Sequence, residues 1–483
     1  MTHAATTGAP AELYRWRWPA LFVILAAEVM DLVDAMITTI AGPTILADLG
    51  GSSSLIQWLG AAYTMALAVG LITGGRLGDL YGRRRMFLVG AAGFTLGSLL
   101  CGLAFSPETL VAARVVQGLF GAVMLPQGLG LIKEMFPPKE MAAAMGAFGP
   151  VLGLSTVAGP VLAGWLVDAD LFGTGWRMIF LINLPIGLLA IAGALRFLPE
   201  SGSPHASRLD LTGMGLVTGA SLLLIYPLVQ GRELDWPAWT FASMAASIAV
   251  FLLLARHQSR KQRTGGDPLL VTTLFRKRAF SGGLITGLVF FTAMIGFSLV
   301  FGVYVQIGLG YDPLKAGLAN LPNAVGTVLG FIVVNAAGLP RKAGRKLIHI
   351  GAIVMIAGVA GVGVTLGLAG VGVTPWQLAP ALLVTGAGMS MIMAPFFDIV
   401  LAAVEPHESG SASGVLTGVQ QLGAALGAAA IGTLFFGLLE RGRSFTDTME
   451  VTIWVTSGLI AVTFLAAFLL PLRARPEEEA AGH

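Results

Sequence analysis

Three carboxylates recur at every third position within one apolar run: Glu28, Asp31 and Asp34, in residues 20–42. If the run is helical, each step rises about 4.5 Å and the three side chains fan over roughly 120°. An acid at the centre of a bilayer costs about 2.5–3.5 kcal/mol on insertion scales. Three on one helix must therefore face a wet cavity, find partners or carry protons. A carboxyl held this way is suited to loading and releasing a proton. Arg114 is the counterpart, the one basic residue deep inside an apolar run (109–132). Its guanidinium does not lose its proton, so it is a fixed positive charge. Proton carriage, with Asp34 foremost, is the chemistry this set points to. The plainer alternative is an ion pair between Asp34 and Arg114 that serves only structure.

A second cluster, GRLGDLYGRRR at 75–85, sits between two apolar runs and has a weaker echo, AGLPRKAGRK at 337–346. The echo keeps Leu77 as Leu339, Gly82 as Gly344 and Arg83 as Arg345. It has Lys346 for Arg84 and Arg341 for Asp79. Gly75, Gly78 and Gly82 permit tight turns and close helix approach. Asp79 and Arg83 are suited to a latch between the two halves, with Arg84 beside them, while Arg85 reads as a plain interfacial anchor. One basic hairpin used twice is a sign of a transporter built from repeats.

Composition excludes a soluble protein: 55% of the 483 residues are hydrophobic and 11% charged, against about 25% charged in soluble domains. Fourteen apolar spans are predicted between residues 20 and 471, each near the 20 residues that cross a hydrocarbon core. Lysine and arginine set their orientation. On one side, the termini and alternate loops carry 23 of the 29 basic residues, the other side carries five, and Arg114 alone lies within a span. Both termini are thus expected in the cytoplasm, which the even number of crossings allows. A net charge of +3 gives no basis for nucleic-acid binding.

Two polar stretches interrupt the order, 197–210 and the basic 256–278, which reads as a solvated loop at anionic headgroups. They bracket spans at 211–230 and 239–256. The expected organisation is an all-α membrane protein with a six-helix bundle (1–200), a linker carrying two extra transmembrane helices (201–278), and a second six-helix bundle with a cytoplasmic tail (279–483).

The chain resembles the fourteen-helix drug:proton antiporter branch of the major facilitator superfamily over nearly its whole length. GRLGDLYGRRR resembles the superfamily's first motif, and RVVQG at 114–118 the arginine motif of the fourth helix. GPVLAG at 159–164 is similar to the antiporter motif of the fifth, with Ala163 where glycine is usual. DLVDAMITTIAGP at 31–43 resembles the branch's first-helix motif, with Met36 for threonine and Thr39 for asparagine. The resemblance implies that Arg114 approaches the first-helix acids and joins proton coupling. It also implies that Gly159, Pro160 and Gly164 form a tight seam limiting leak, although ordinary packing of small residues is an equal reading in a chain with 65 glycines. Tyr63, Trp58 and Gln127 are candidate cavity residues.

No GxxxxGK[ST], HExxH or GxSxG occurs, the six histidines do not cluster as ligands, and Cys101 is the single cysteine. No P-loop means no direct ATP drive, and no cofactor or metal is expected. The reading is a proton-coupled efflux antiporter of amphipathic drugs or antibiotics, working by alternating access. Its acidic wall points to cationic substrates, although protons alone would require it. It is expected to be a monomer in a bacterial cell membrane, its partners being an organic substrate, protons and lipid. The alternatives are a proton-coupled importer or facilitator of a metabolite and, with less support, a membrane sensor or membrane enzyme.

Overall fold

The computed structural model describes residues 14–473, apart from 138–139, 141–143, 145–154, 156–158, 160, 201–209, 232–233, 267–268, 270–271, 403 and 405–408. Thirteen long helices run through them. They are α1 (Arg17–Leu49), α2 (Ser54–Tyr81), α3 (Arg83–Gly102), α4 (Pro107–Met135), α5 (Gly175–Phe197, opening with short turns), α6 (Leu211–Gln230), α7 (Ala238–Arg263), α8 (Arg278–Val303), α9 (Pro313–Ala336), α10 (Arg345–Ala369), α11 (Pro375–Ala402), α12 (Ser409–Glu440) and α13 (Phe445–Ala466). Among the described residues, twelve are long and apolar enough to cross a membrane, and the acid-bearing α1 adds 33 helical residues. No strand occurs there. The predicted span at 141–166 falls largely outside the described residues.

The same packing scheme occurs twice. In α1–α5, α2 and α3 both lie on α4, and in α8–α13, α9 and α10 both lie on α11. Each group has its own apolar cores. Contacts are close because small residues line them. A Cβ on Gly74 of α2 would overlap the Ala122 backbone carbonyl of α4, and one on Gly118 of α4 would come within 2.6 Å of the Tyr63 carbonyl oxygen. Backbone against backbone leaves nothing that can give way.

The two basic hairpins share a construction. Gly82 (φ +98°) joins α2 to α3, and Gly344 (φ +51°) leads into α10. Positive φ costs glycine little. GRLGDLY is not a loop: α2 stays helical to Tyr81, so Gly75, Gly78 and Asp79 sit on its last turns. Nor is 256–278 a loop throughout. Helix α7 continues to Arg263, since lysine, arginine and glutamine are good helix formers and one face of this end is anchored.

The anchor is Asp210, at the start of α6. It accepts hydrogen bonds from the Gly213 amide (3.1 Å), Gln258 Nε2 (2.7 Å), His257 Nε2 (3.1 Å) and the Leu269 amide (3.3 Å), and pairs with Lys261 Nζ (3.1 Å). Desolvation opposes its charge, yet these donors together hold the carboxyl below the usual aspartate range. The inserted pair α6–α7 is thus closed at its basic end. Helix α6 lies against both α2 and α12, and Ile225 and Val229 pack with Ala61, Met65, Ala425 and Ala429.

Candidate functional site

All five helices of the first group converge on one buried polar cluster. Asp34 comes from α1, Arg114 and Gln117 from α4, Ser98 from α3, Asn183 from α5, and Tyr63 with the Leu59 carbonyl from α2. The Arg114 and Gln117 side chains share a face because they stand three residues apart on a helix. Arg114 Nη1 bonds Asp34 Oδ2 and donates to Gln117 Oε1 at 2.7 Å, while Nε donates to Leu59 O at 3.2 Å. Gln117 Nε2 and Asn183 Nδ2 donate to Asp34 Oδ1 at 2.9 and 3.0 Å. The same two amides reach Ser98 Oγ at 2.8 and 3.2 Å, and Cys101 Sγ donates to Gln117 Oε1 at 3.6 Å.

The Arg114 guanidinium also lies 4.2 Å from the centre of the Tyr63 ring, a cation–π contact of the kind strengthened by loss of water. The Tyr63 hydroxyl donates to Asp31 Oδ1. Arg114 has no exposed surface and Asp34 has 1%. In this conformation the pair is dry, and both Asp34 oxygens are held by donors. Glu28, half-buried, lies on α1 alongside Gly128 of α4 and nearer the basic end. The acids thus form a ladder along α1, from a half-buried step to a sealed one.

Of the candidates, Asp34 and Arg114 are brought together directly, and Asp31 joins them through Tyr63. Gln127 is buried between α2 and α4, where Nε2 donates to Gly74 O (2.7 Å) and Val123 O (2.9 Å), and its amide fills the space left by Gly78. Trp58 packs with Tyr226 of the insert, ring centres 5.9 Å apart. Arg83 pairs with Asp79 (2.9 Å) and with Glu134 of α4 (3.2 Å), both in its own helix group. Arg84 donates to Leu195 O. In the echo, Arg345 Nη1 donates instead to Phe468 O (3.2 Å) and Leu470 O (2.7 Å). Pro160 lies outside the described residues, and Gly159 is buried. Gly164 leaves no room for a Cβ against Pro313 and Leu314 of α9.

That Gly164 contact joins the two helix groups, at the end opposite the basic loops. Gln57 Nε2 also bridges them there, donating to Ala429 O (3.2 Å) and Thr433 Oγ1 (3.3 Å) of α12. So does Gln306 Nε2, which donates to Ile40 O of α1 at 2.7 Å. Ile56 of α2 belongs to the core of the second group.

Sequence reasoning missed Gln117 and Asn183 as partners of Asp34, and Ser98 as the hydroxyl that both amides reach. Their signal was present: amides inside apolar spans, one of them a helical turn beyond Arg114. It also missed the Asp210 anchor, whose signal was an aspartate directly ahead of an apolar run, in the position that caps a helix.

The chain is 53% identical over 433 residues to the probable actinorhodin transporter of Streptomyces coelicolor, covering 90% of this chain and 75% of that one. It is 35% identical over 466 residues to the puromycin resistance protein of Streptomyces alboniger, covering 94% and 89%. The fold matches a crystallised POT family transporter bound to a thioalcohol-conjugated peptide. The TM-score is 0.68, with 15% identity and 93% and 96% of the two chains covered. The family model described as Major Facilitator Superfamily matches residues 23–428. With that match, and a helical packing scheme that occurs twice, the chain belongs to the Major Facilitator Superfamily.

Proposed function

We propose that this protein expels amphipathic, antibiotic-like organic compounds in exchange for protons, the two helix groups rocking about a site near the membrane midplane. The observation that carries the reading is the acid ladder of α1, ending in the sealed Asp34–Arg114 pair, in a chain whose relatives are named for antibiotic transport and resistance. A transporter confers resistance most simply by lowering the internal concentration of the compound. Buried ion pairs return little net stability, because desolvation offsets their attraction. Membranes rarely retain them without a task.

The contacts at the end opposite the basic loops support a state closed on that side. With the basic ends cytoplasmic, by the positive-inside bias, this is the inward-facing state. In it, a proton reaches Asp31 or Asp34 only after Tyr63 and the amides shift, so protonation and rearrangement are coupled. Asp79 and Arg83, paired here within the first helix group, form the latch in the opposite state by exchanging one of these bonds for a partner on the second group. We read the chain as a fourteen-helix antiporter, organised as 1–200, 201–278 and 279–483 and working as a monomer.

The test is transport of a fluorescent amphipathic dye in everted membrane vesicles. Acidifying the lumen should drive dye into the vesicles, with protons leaving as it enters. Movement of dye outward together with protons would support the metabolite-importer reading and overturn this one.

A further inference from the structure

A crevice of about 730 Å³ opens beside the seam between the two helix groups, at the basic end of the insert. Its walls are α2 (Ala68, Val69), α6 (Val217), α7 (Phe251), α8 (Leu284) and α12 (Val415, Leu422), mostly apolar, with Ser221 and Gln258 as buried polar residues among them. Arg263, from the last turn of α7, and Arg276, from the turn Thr272–Arg276, line its mouth, both exposed. Neither has an ion-pair partner among the described residues. The Asp210 anchor fixes the end of α7 and with it the position of Arg263.

An apolar slot closed at one end by two cations is complementary to a molecule with an anionic head and a hydrocarbon tail. We propose that the crevice binds an acidic phospholipid of the leaflet at the basic end, with the headgroup phosphate between Arg263 and Arg276 and an acyl chain along α2, α6 and α12. A soluble anion would leave the apolar walls uncovered. A zwitterionic lipid would bring a cation against the arginines. Because α2 and α12 belong to different helix groups, the lipid would touch both and report on their separation.

Purified protein in mild detergent would be titrated with phosphatidylglycerol and, separately, with phosphatidylcholine of the same chains, and read by native mass spectrometry. Phosphatidylglycerol should bind about tenfold tighter. Arg263→Gln and Arg276→Gln should each weaken it about fivefold, on the scale of one basic residue at an anionic surface. Arg260→Gln, on the same helix but outside the crevice, should leave it unchanged. Val217→Trp, which fills the slot, should weaken both lipids. Equal affinity for the two lipids, phosphatidylglycerol binding indifferent to both arginine variants, or full displacement by inorganic phosphate would each overturn the proposal. The measurement needs no transport and no membrane orientation, so it fails or succeeds independently of the antiporter reading.

Discussion

Replacing Asp34 by asparagine separates a coupling pair from a structural clamp. The carboxylate accepts from Arg114 at one oxygen and from Gln117 and Asn183 at the other. Asparagine keeps the shape, but it has one carbonyl for three donors and sets an amide against one of them. Arg114 keeps its charge, and the acceptors left to it, Gln117 Oε1, Leu59 O and at most the asparagine carbonyl, are all neutral. Removing one member of a buried pair costs about 3–5 kcal/mol, chiefly through the stranded charge. Asp34→Asn should therefore lower the melting temperature sharply and abolish proton-driven efflux. In the double variant Asp34→Asn/Arg114→Gln no charge is stranded, and neutral pairs of similar volume are often tolerated. Most of the thermal stability should return, measured by size-exclusion with tryptophan fluorescence in detergent. Efflux in everted vesicles should not return. If the double variant pumps dye against a proton gradient like the parent, Asp34 and Arg114 are a clamp and the coupling argument is refuted.

Tyr63→Phe removes the hydroxyl that holds Asp31, a bond to a charged group worth about 1.5–3 kcal/mol; the protein should remain folded while the pH profile of vesicle efflux shifts. Gly74→Ala sets a methyl against the Ala122 carbonyl and should cost about 1–3 kcal/mol as overpacking, read as a lower melting temperature with α4 displaced. Asp210→Ala should cost about 1–2 kcal/mol through loss of the helix cap and should loosen α6–α7, visible as faster amide exchange at residues 255–263. Because the folded carboxyl sits below its ordinary value, the anchor's contribution is complete above about pH 4 and is lost only as pH falls through the lower folded value. Melting between pH 5 and 8 should therefore show no dependence traceable to Asp210.

Twelve of the expected spans were legible because apolar length alone decides them, and the paired hairpins because glycine followed by arginine recurs at both. The meeting of Asp34 with Arg114 was implied by the resemblance to the superfamily; charge scarcity alone, a lone cation and a few acids within an apolar chain, offered it only as the plainer alternative. The amide shell was harder to read, since Gln117 and Asn183 are neutral and indistinguishable by composition from packing residues. Periodicity could not place Gln127 either. Whether an amide faces a cavity or braces two helices depends on the small residue opposite it, here Gly78. The helical end of α7 was hidden because its basic composition suits a water-exposed loop equally well, and only the distant Asp210 decides between them.

The insert gives the molecule two unlike flanks. On one, α6 stands against α2 and α12 at once, like a post set in front of a doorway. On the other, the approach of Gly164 to α9 secures the end away from the basic loops. A compound approaching from the bilayer along the first flank would meet this post, and the crevice beside it, before the seam between α2 and α12.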